Sequence, residues 1–197
     1  MHSGRYGPAS IGNHRPLFRL DVLRPPFRHL RHPADRSEAQ PRSFSATIGA
    51  RTVTRTFEAY PEQAAAFPVR RVGRDIQVCL IRRKTAGSWG IPKGLVDAGD
   101  THEETALNEA WEEAGISGRL LGKAVGTYRY RKWGTKLTVA VYVMEVLHQE
   151  ARWEESPIRD RMWTTLAEAI DLLSEHPVAP LLDRVRAVIS GGKYGLG

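Results

Sequence analysis

From Ala64 to Ser190 the hydrophobic positions change period several times, and each change marks an element. Ala64 to Val72 and Ile76 to Ile81 are strand-length apolar stretches separated by Gly73-Arg74-Asp75, which predicts a hairpin. Positions 102–114 follow the helical period instead. Asp100 or Thr101 can cap that helix, with Glu103 or Glu104 three residues on to complete a capping box, and Gly115 stands where a left-handed residue closes the last turn. Ala106, Leu107, Ala110, Trp111 and Ala114 form its apolar arc, and the small alanines let it lie close to a sheet. Beyond it, Arg119 to Tyr130 and Lys136 to Glu150 read as strands. In the second, Val139, Val141 and Val143 alternate with Thr138, Ala140 and Tyr142. Trp153-Glu-Glu-Ser-Pro is a loop, and Arg159, Arg161 and Trp163 lead into a short strand. Thr165 to Ser174 and Ala179 to Ser190 read as helices.

Ahead of this ordered pattern lies a stretch with none. Residues 1–45 lack lysine, are rich in arginine, proline and serine, and hold eight arginines against Asp21, Asp35 and Glu38. They predict a disordered extension, with residues 46–197 as a single domain entered through a transition at 46–62, where Thr52-Val53-Thr54 is extended. The prolines at 8, 16, 25, 26 and 33 interrupt any amphipathic transit helix. Most of the +7 net charge belongs to that extension, so the domain itself is not a globally basic nucleic-acid binder. The longest apolar run, Leu137 to Met144, stops at Glu145, well short of the roughly 18 residues of a membrane span. With no secretory leader either, a cytoplasmic protein with no membrane partner is expected. The lone Cys79 lies in an apolar run and reads as a core thiol, and the seven histidines show no zinc spacing.

The chemistry concentrates on the 102–114 helix. Glu109, Glu112 and Glu113 are spaced i, i+3, i+4 and fall on one narrow arc. Glu109 and Glu113 repel across one turn, at a cost of about 0.2–0.5 kcal/mol, and a hard divalent cation is the expected compensation. Basic residues cluster in two other places. Arg82, Arg83 and Lys84 leave a strand immediately before this region, and Arg131, Lys132 and Lys136 occupy the turn between the two long strands. Tyr128, Tyr130 and Trp133, in or beside that turn, are candidates for stacking on a base or for core packing.

The stretch from Gly94 to Ile116 resembles the Nudix box. Gly94, Glu109, Ala110, Glu112, Glu113, Gly115 and Ile116 match in register, and Pro92-Lys93-Gly94 is a common lead-in. Two positions depart from the pattern: Asp100 stands at the first glutamate and Asn108 at the arginine. The resemblance spans roughly residues 60–185. It implies an α/β fold, a Nudix-type α/β/α sandwich with a mixed β-sheet, and hydrolysis of a pyrophosphate bond. It also implies that Glu109, Glu112, Glu113 and the Gly94 carbonyl hold Mg²⁺, with Mn²⁺ as a substitute. The metal would bridge phosphate oxygens and activate a water, whose proton goes to one of these glutamates or to a loop acid such as Glu154 or Glu155.

Outside the box the chain is similar to the diphosphoinositol polyphosphate phosphohydrolases. The similarity lies in Trp89-x-x-Pro92-x-Gly94, Tyr142-Val-x-x-Glu145-Val-Leu, Arg159-x-Arg161-x-Trp163 and His176-Pro-Val. It implies a small, highly anionic polyphosphate substrate, an inositol pyrophosphate or a diadenosine polyphosphate. Arg82, Arg83, Lys84, Lys93, Arg131, Lys132, Lys136, Arg159 and Arg161 are the candidate cations that would grip it. The lead-in Lys93 leans toward dinucleoside polyphosphates. An RNA 5′-pyrophosphohydrolase, with nucleic acid as the partner, and a non-catalytic nucleotide-sensing module are the alternatives; sensing modules usually lose box glutamates, and this chain keeps all three. The sequence leaves the number of subunits open.

Overall fold

The computed structural model describes residues 42–48, 51–57, 62–85, 87–132 and 134–191. Two strands, β1 (Arg42–Ile48) and β2 (Arg51–Phe57), pair antiparallel into a separate ribbon. The boundary expected at residue 45 falls inside β1, and the remainder of the expected extension lies outside the described residues. Strands β3 (Glu62–Val72) and β4 (Asp75–Arg83) form the expected hairpin, closed at Gly73-Arg74. The short β5 (Lys93–Leu95) adds to β3, and helix α1 (His102–Ala114) follows.

The sequence predicts one strand over Arg119 to Tyr130. The structure has two, β6 (Ile116–Leu120) and β7 (Gly126–Lys132). Gly122 between them and Gly126 at the start of β7 both take positive φ where the chain turns. The long β8 (Thr135–Gln149) makes room for both, pairing with β7 along its first half and with β6 along its second. Strand β9 (Arg159–Thr165) completes the sheet, and α2 (Leu166–Leu172) and α3 (Leu182–Ser190) close the chain. The helix expected over Ala179 to Ser190 starts as a 3-10 turn at Ala179–Leu181 around Pro180, whose missing N–H suits the opening of a helix.

The sheet runs β6-β8-β3-β4-β9, with β3 and β8 parallel and the other pairs antiparallel. It is therefore mixed, and both faces are covered. Ala65, Phe67, Val69, Val139, Val141 and Val143 point toward α2 and α3, where Ala169, Leu173, Leu182 and Val185 meet them. The alternate residues Ala64, Ala66, Ala140, Tyr142 and Met144 point toward α1 and its Ala106, Ala110 and Ala114. The strand period of two builds an α/β/α sandwich from one sheet. On α1 the alanines are fully buried and Leu107 is partly so, whereas Trp111, expected in the apolar arc, stays half-exposed.

Thr101, rather than Asp100, caps α1, in a complete capping box with Glu104, and Gly115 ends it in the left-handed conformation. Cys79 is fully buried, as expected of a core thiol, and burial pushes it up to about 12. No described helix is long and apolar enough to cross a membrane.

Candidate active site

Two carboxylates of α1 reach back to the loop that precedes it. The main-chain N–H of Lys93 donates to Glu113 Oε2 at 3.0 Å. One turn earlier, Glu109 lies against Gly94, where a Cβ would fall 1.6 Å from Glu109 Oε1. A Cβ at 94 would displace the Glu109 carboxylate from this backbone. The i, i+4 spacing brings both glutamates to the same short strand, β5.

Glu113 is buried and so is the guanidinium that faces it. Arg159 donates to Glu113 through Nη2 and to Glu155 through Nε, so one arginine spans a box glutamate and a loop acid. Burial raises the affinity of Glu113 for a proton, opposed by Arg159 and by Lys93. The expected compensation for repulsion between Glu109 and Glu113 is a hard divalent cation; in this structure the Arg159 guanidinium faces Glu113. Among the described residues, no group of three His, Cys, Asp or Glu side chains is assembled as a ready-made metal cage.

The sequence-predicted cations divide by strand face. On β9, Arg159 and Arg161 share the α1 side of the sheet, and Arg83 is the cross-strand partner of Arg159. Lys132 extends the strand face that carries Tyr128 and Tyr130. Its ammonium is pushed down by burial and by the charges of Lys93, Arg83 and Arg159, opposed by Glu113. Lys93 also lies 5.9 Å over the Tyr130 ring.

The remaining candidates sit elsewhere. Arg131 and Lys136 are cross-strand partners on the opposite face of the β7–β8 ribbon from Lys132. Arg82 faces away from Arg83, pairing with Asp160 at 3.1 Å and stacking 4.6 Å over Trp89. Lys84 donates to the Ser156 carbonyl at 3.0 Å and ties down the 153–158 loop. Arg161 donates to two backbone carbonyls, Ala114 O at 2.5 Å and Glu150 O at 2.9 Å. Asp100 closes the turn before α1 through its N–H to Asp97 O at 3.0 Å, and Asn108 is half-buried on the helix.

Of the candidate stacking residues, Tyr130 donates to Gln63 Oε1 at 2.8 Å, and Trp133 lies outside the described residues. Tyr128 packs in the core, its hydroxyl without a hydrogen-bond partner among the described residues. Its ring meets His176 edge-on at 5.9 Å. His176 Nδ1 accepts from the Val178 N–H at 3.1 Å, which leaves the ring proton on Nε2. Burial, with Lys93 nearby, holds His176 down at about 4, so this ring is neutral at physiological pH. Gln63, Trp153 and the bracing role of Arg161 escape sequence reasoning, because each depends on a partner tens of residues away.

A profile of the NUDIX domain matches residues 60–185. The chain belongs to the NUDIX domain family. Among curated relatives, it is 36% identical over 103 residues to the chloroplastic Nudix hydrolase 21 of Arabidopsis thaliana, covering 51% of this chain and 52% of that one. It is 30% identical over 139 residues to diphosphoinositol polyphosphate phosphohydrolase 2 of Rattus norvegicus, covering 68% and 76%. This NUDIX chain spans about half the length of the Arabidopsis relatives it matches, at 52%, 46% and 59%. Its fold superimposes on the crystal structure of the C. elegans Ap4A hydrolase with a TM-score of 0.57 at 21% identity, over 66% of this chain and 99% of that one. Helix α1, whose Glu113 and Glu109 meet Lys93 and Gly94, lies within the matched residues.

Proposed function

We propose that this NUDIX domain is a Mg²⁺-dependent hydrolase that cleaves a phosphoanhydride bond in a highly anionic small molecule, a diphosphoinositol polyphosphate or a diadenosine polyphosphate. The observation that carries this reading is the meeting of two helix carboxylates with Lys93 and Gly94, with Arg159 paired to Glu113 and the Lys132 ammonium under the charges of Lys93, Arg83, Arg159 and Glu113. Anionic oxygens at the centre and cations at the rim are what transfer of a phosphoryl group to water requires of a protein.

The donors fit a hard divalent cation. They are carboxylate oxygens on one helical arc, and the Gly94 backbone that one of them lies against carries no side chain to block approach. Mg²⁺ needs only one or two carboxylates when phosphates complete its shell, so a preassembled three-carboxylate cage is not required. Glu109, Glu112, Glu113 and the Gly94 carbonyl would hold it. When bound, the ion neutralises phosphate charge and acidifies a water.

The chain's own groups supply the rest. Lys93, Lys132 and Arg83 orient the phosphates, and Arg159 shares its charge between the substrate side and Glu113. Glu155, drawn close to Glu113 through Arg159, joins the box glutamates as a candidate to take the proton of the attacking water. A cytoplasmic location belongs to the same reading.

The test is product release with Mg²⁺ from three substrates: an inositol pyrophosphate, a diadenosine polyphosphate and a 5′-triphosphorylated RNA, with Glu112→Gln as control. Turnover of either of the first two, lost in the variant, supports the proposal. Turnover of the RNA alone replaces the substrate class. Nucleotide binding without turnover of any of the three overturns hydrolysis in favour of a sensing module.

A further inference from the structure

Helix α1 has Glu103 and Glu104 in its favourable first turn but carries three further glutamates toward the unfavourable end. Glu109, Glu112 and Glu113 fall in its last two turns, where the helix dipole is negative and the last carbonyls lack intrahelical donors. No basic residue in the last turn offsets this. The donors come instead from far along the chain. The indole Nε1 of Trp153 donates to Glu113 O at 3.0 Å, across 40 residues. Arg161 donates to the next carbonyl, Ala114 O, across 47 residues, and through its other terminal nitrogen to Glu150 O. The Glu150 N–H in turn donates to Gly115 O at 2.8 Å. The guanidinium of Arg161 lies 4.4 Å over the Trp153 ring, so the two donors brace one another. Gly115 has to be a glycine twice over: φ is +61°, and a Cβ there would fall 2.5 Å from Trp153 Cβ.

Glu113 is thereby held at both ends. Its carbonyl is fixed by Trp153, and its carboxylate by Arg159 and the Lys93 N–H. Arg159 and Arg161 are neighbours on the same face of β9, yet one meets the side chain and the other the helix end.

We infer that Trp153 and Arg161 are positioning residues that clamp the last turn of α1 and so set the placement of the Glu112 and Glu113 carboxylates for the metal. Arg161, a candidate phosphate ligand on sequence grounds, acts here through the helix and not on the substrate. The inference rests on the metal-dependent reading above. Groups that orient ligating side chains change metal affinity by about 10–100-fold when removed, and displacements near 1 Å are enough to cost about 100-fold in rate.

The experiment uses the full chain and titrates Mn²⁺ by electron paramagnetic resonance, with no substrate present, for the native protein, Trp153→Phe and Arg161→Lys. The first variant keeps the ring and removes the N–H. The second keeps the charge and removes the fork. Each is expected to bind Mn²⁺ about tenfold more weakly, with kcat reduced, KM at saturating metal unchanged and part of the loss recovered at high Mg²⁺. Unaltered Mn²⁺ affinity in both variants overturns the inference, whether the accompanying change is a raised KM, which returns Arg161 to the substrate, or only a lower melting temperature. If native protein binds no Mn²⁺ and also turns over no substrate with Mg²⁺, the metal-dependent reading itself fails, an outcome distinct from variants that match a metal-binding native protein.

Discussion

Arg159 and Glu113 form a buried ion pair, each about nine-tenths shielded from solvent, that joins the last strand of the sheet to the box helix. A buried charge that loses its partner is costly, whereas a half-exposed carboxylate can be neutralised cheaply. Two adjacent glutamates should therefore behave differently. Glu113→Gln is expected to lower activity by at least about 100-fold and to destabilise the fold by about 2 kcal/mol, part of the pairing being retained through Glu155. Glu112→Gln should lower activity comparably with a stability change under about 0.5 kcal/mol. Urea unfolding of both variants beside kcat measurements checks the difference.

Gly94 is the second sharp case. Alanine there places a methyl group where the Glu109 carboxylate sits, so that carboxylate must swing away from the Gly94 backbone. Activity should fall by about 100-fold or more. The circular dichroism spectrum should stay native, because the β5 pairing with Ala64 and Ala65 does not involve that face.

Substrate grip should follow strand face and not charge count. Lys132→Glu and Arg83→Glu are each expected to raise KM about tenfold, more for substrates with more phosphates and less at high ionic strength. Arg131→Glu, on the other side of the same ribbon, should change KM less than twofold at about 0.15 M salt. Steady-state kinetics on one substrate series separates these outcomes.

The pH dependence of stability has an identifiable contributor in His176. Its ordinary value is 6.5, and burial, with Lys93 nearby, brings it to about 4 in the folded chain. Between those values the unfolded chain takes up a proton that the folded one refuses, so stability is lost as pH falls from 6.5 toward 4. Replacing His176 with Asn should flatten that part of the curve. Urea midpoints at pH 7, 6, 5 and 4 for both proteins measure it, and parallel curves would remove His176 from the account.

Burial also makes Cys79 inert. With its thiol pushed up to about 12 and no exposed surface, it should resist a disulfide reagent at pH 8 until denaturant is added. A stoichiometric reaction in the folded state would mean that strand β4 opens readily.

How much of this was legible beforehand divides along a physical line. Helix α1 was readable to within a residue of its caps, because capping, period and the closing glycine are local properties of about 15 positions. The arc of Glu109, Glu112 and Glu113 follows from the same period, and the alternation in β8 assigned its two faces correctly. Those features carried the family resemblance and with it the mixed-sheet sandwich. The tertiary structure decided what the arginines do. Arg159 and Arg161 differ by two positions in one strand, a spacing that places them on the same face and says nothing of what lies opposite. Only the packing of β9 beneath the end of α1 sets one against a carboxylate and the other against a carbonyl. The split of one expected strand into β6 and β7 has the same origin, since it depends on the length of β8, a partner that the local pattern cannot see. Periodicity determines which side a residue faces. The partner it finds there is settled by pairings across some 40 residues or more, where charge and hydrogen-bond geometry take over.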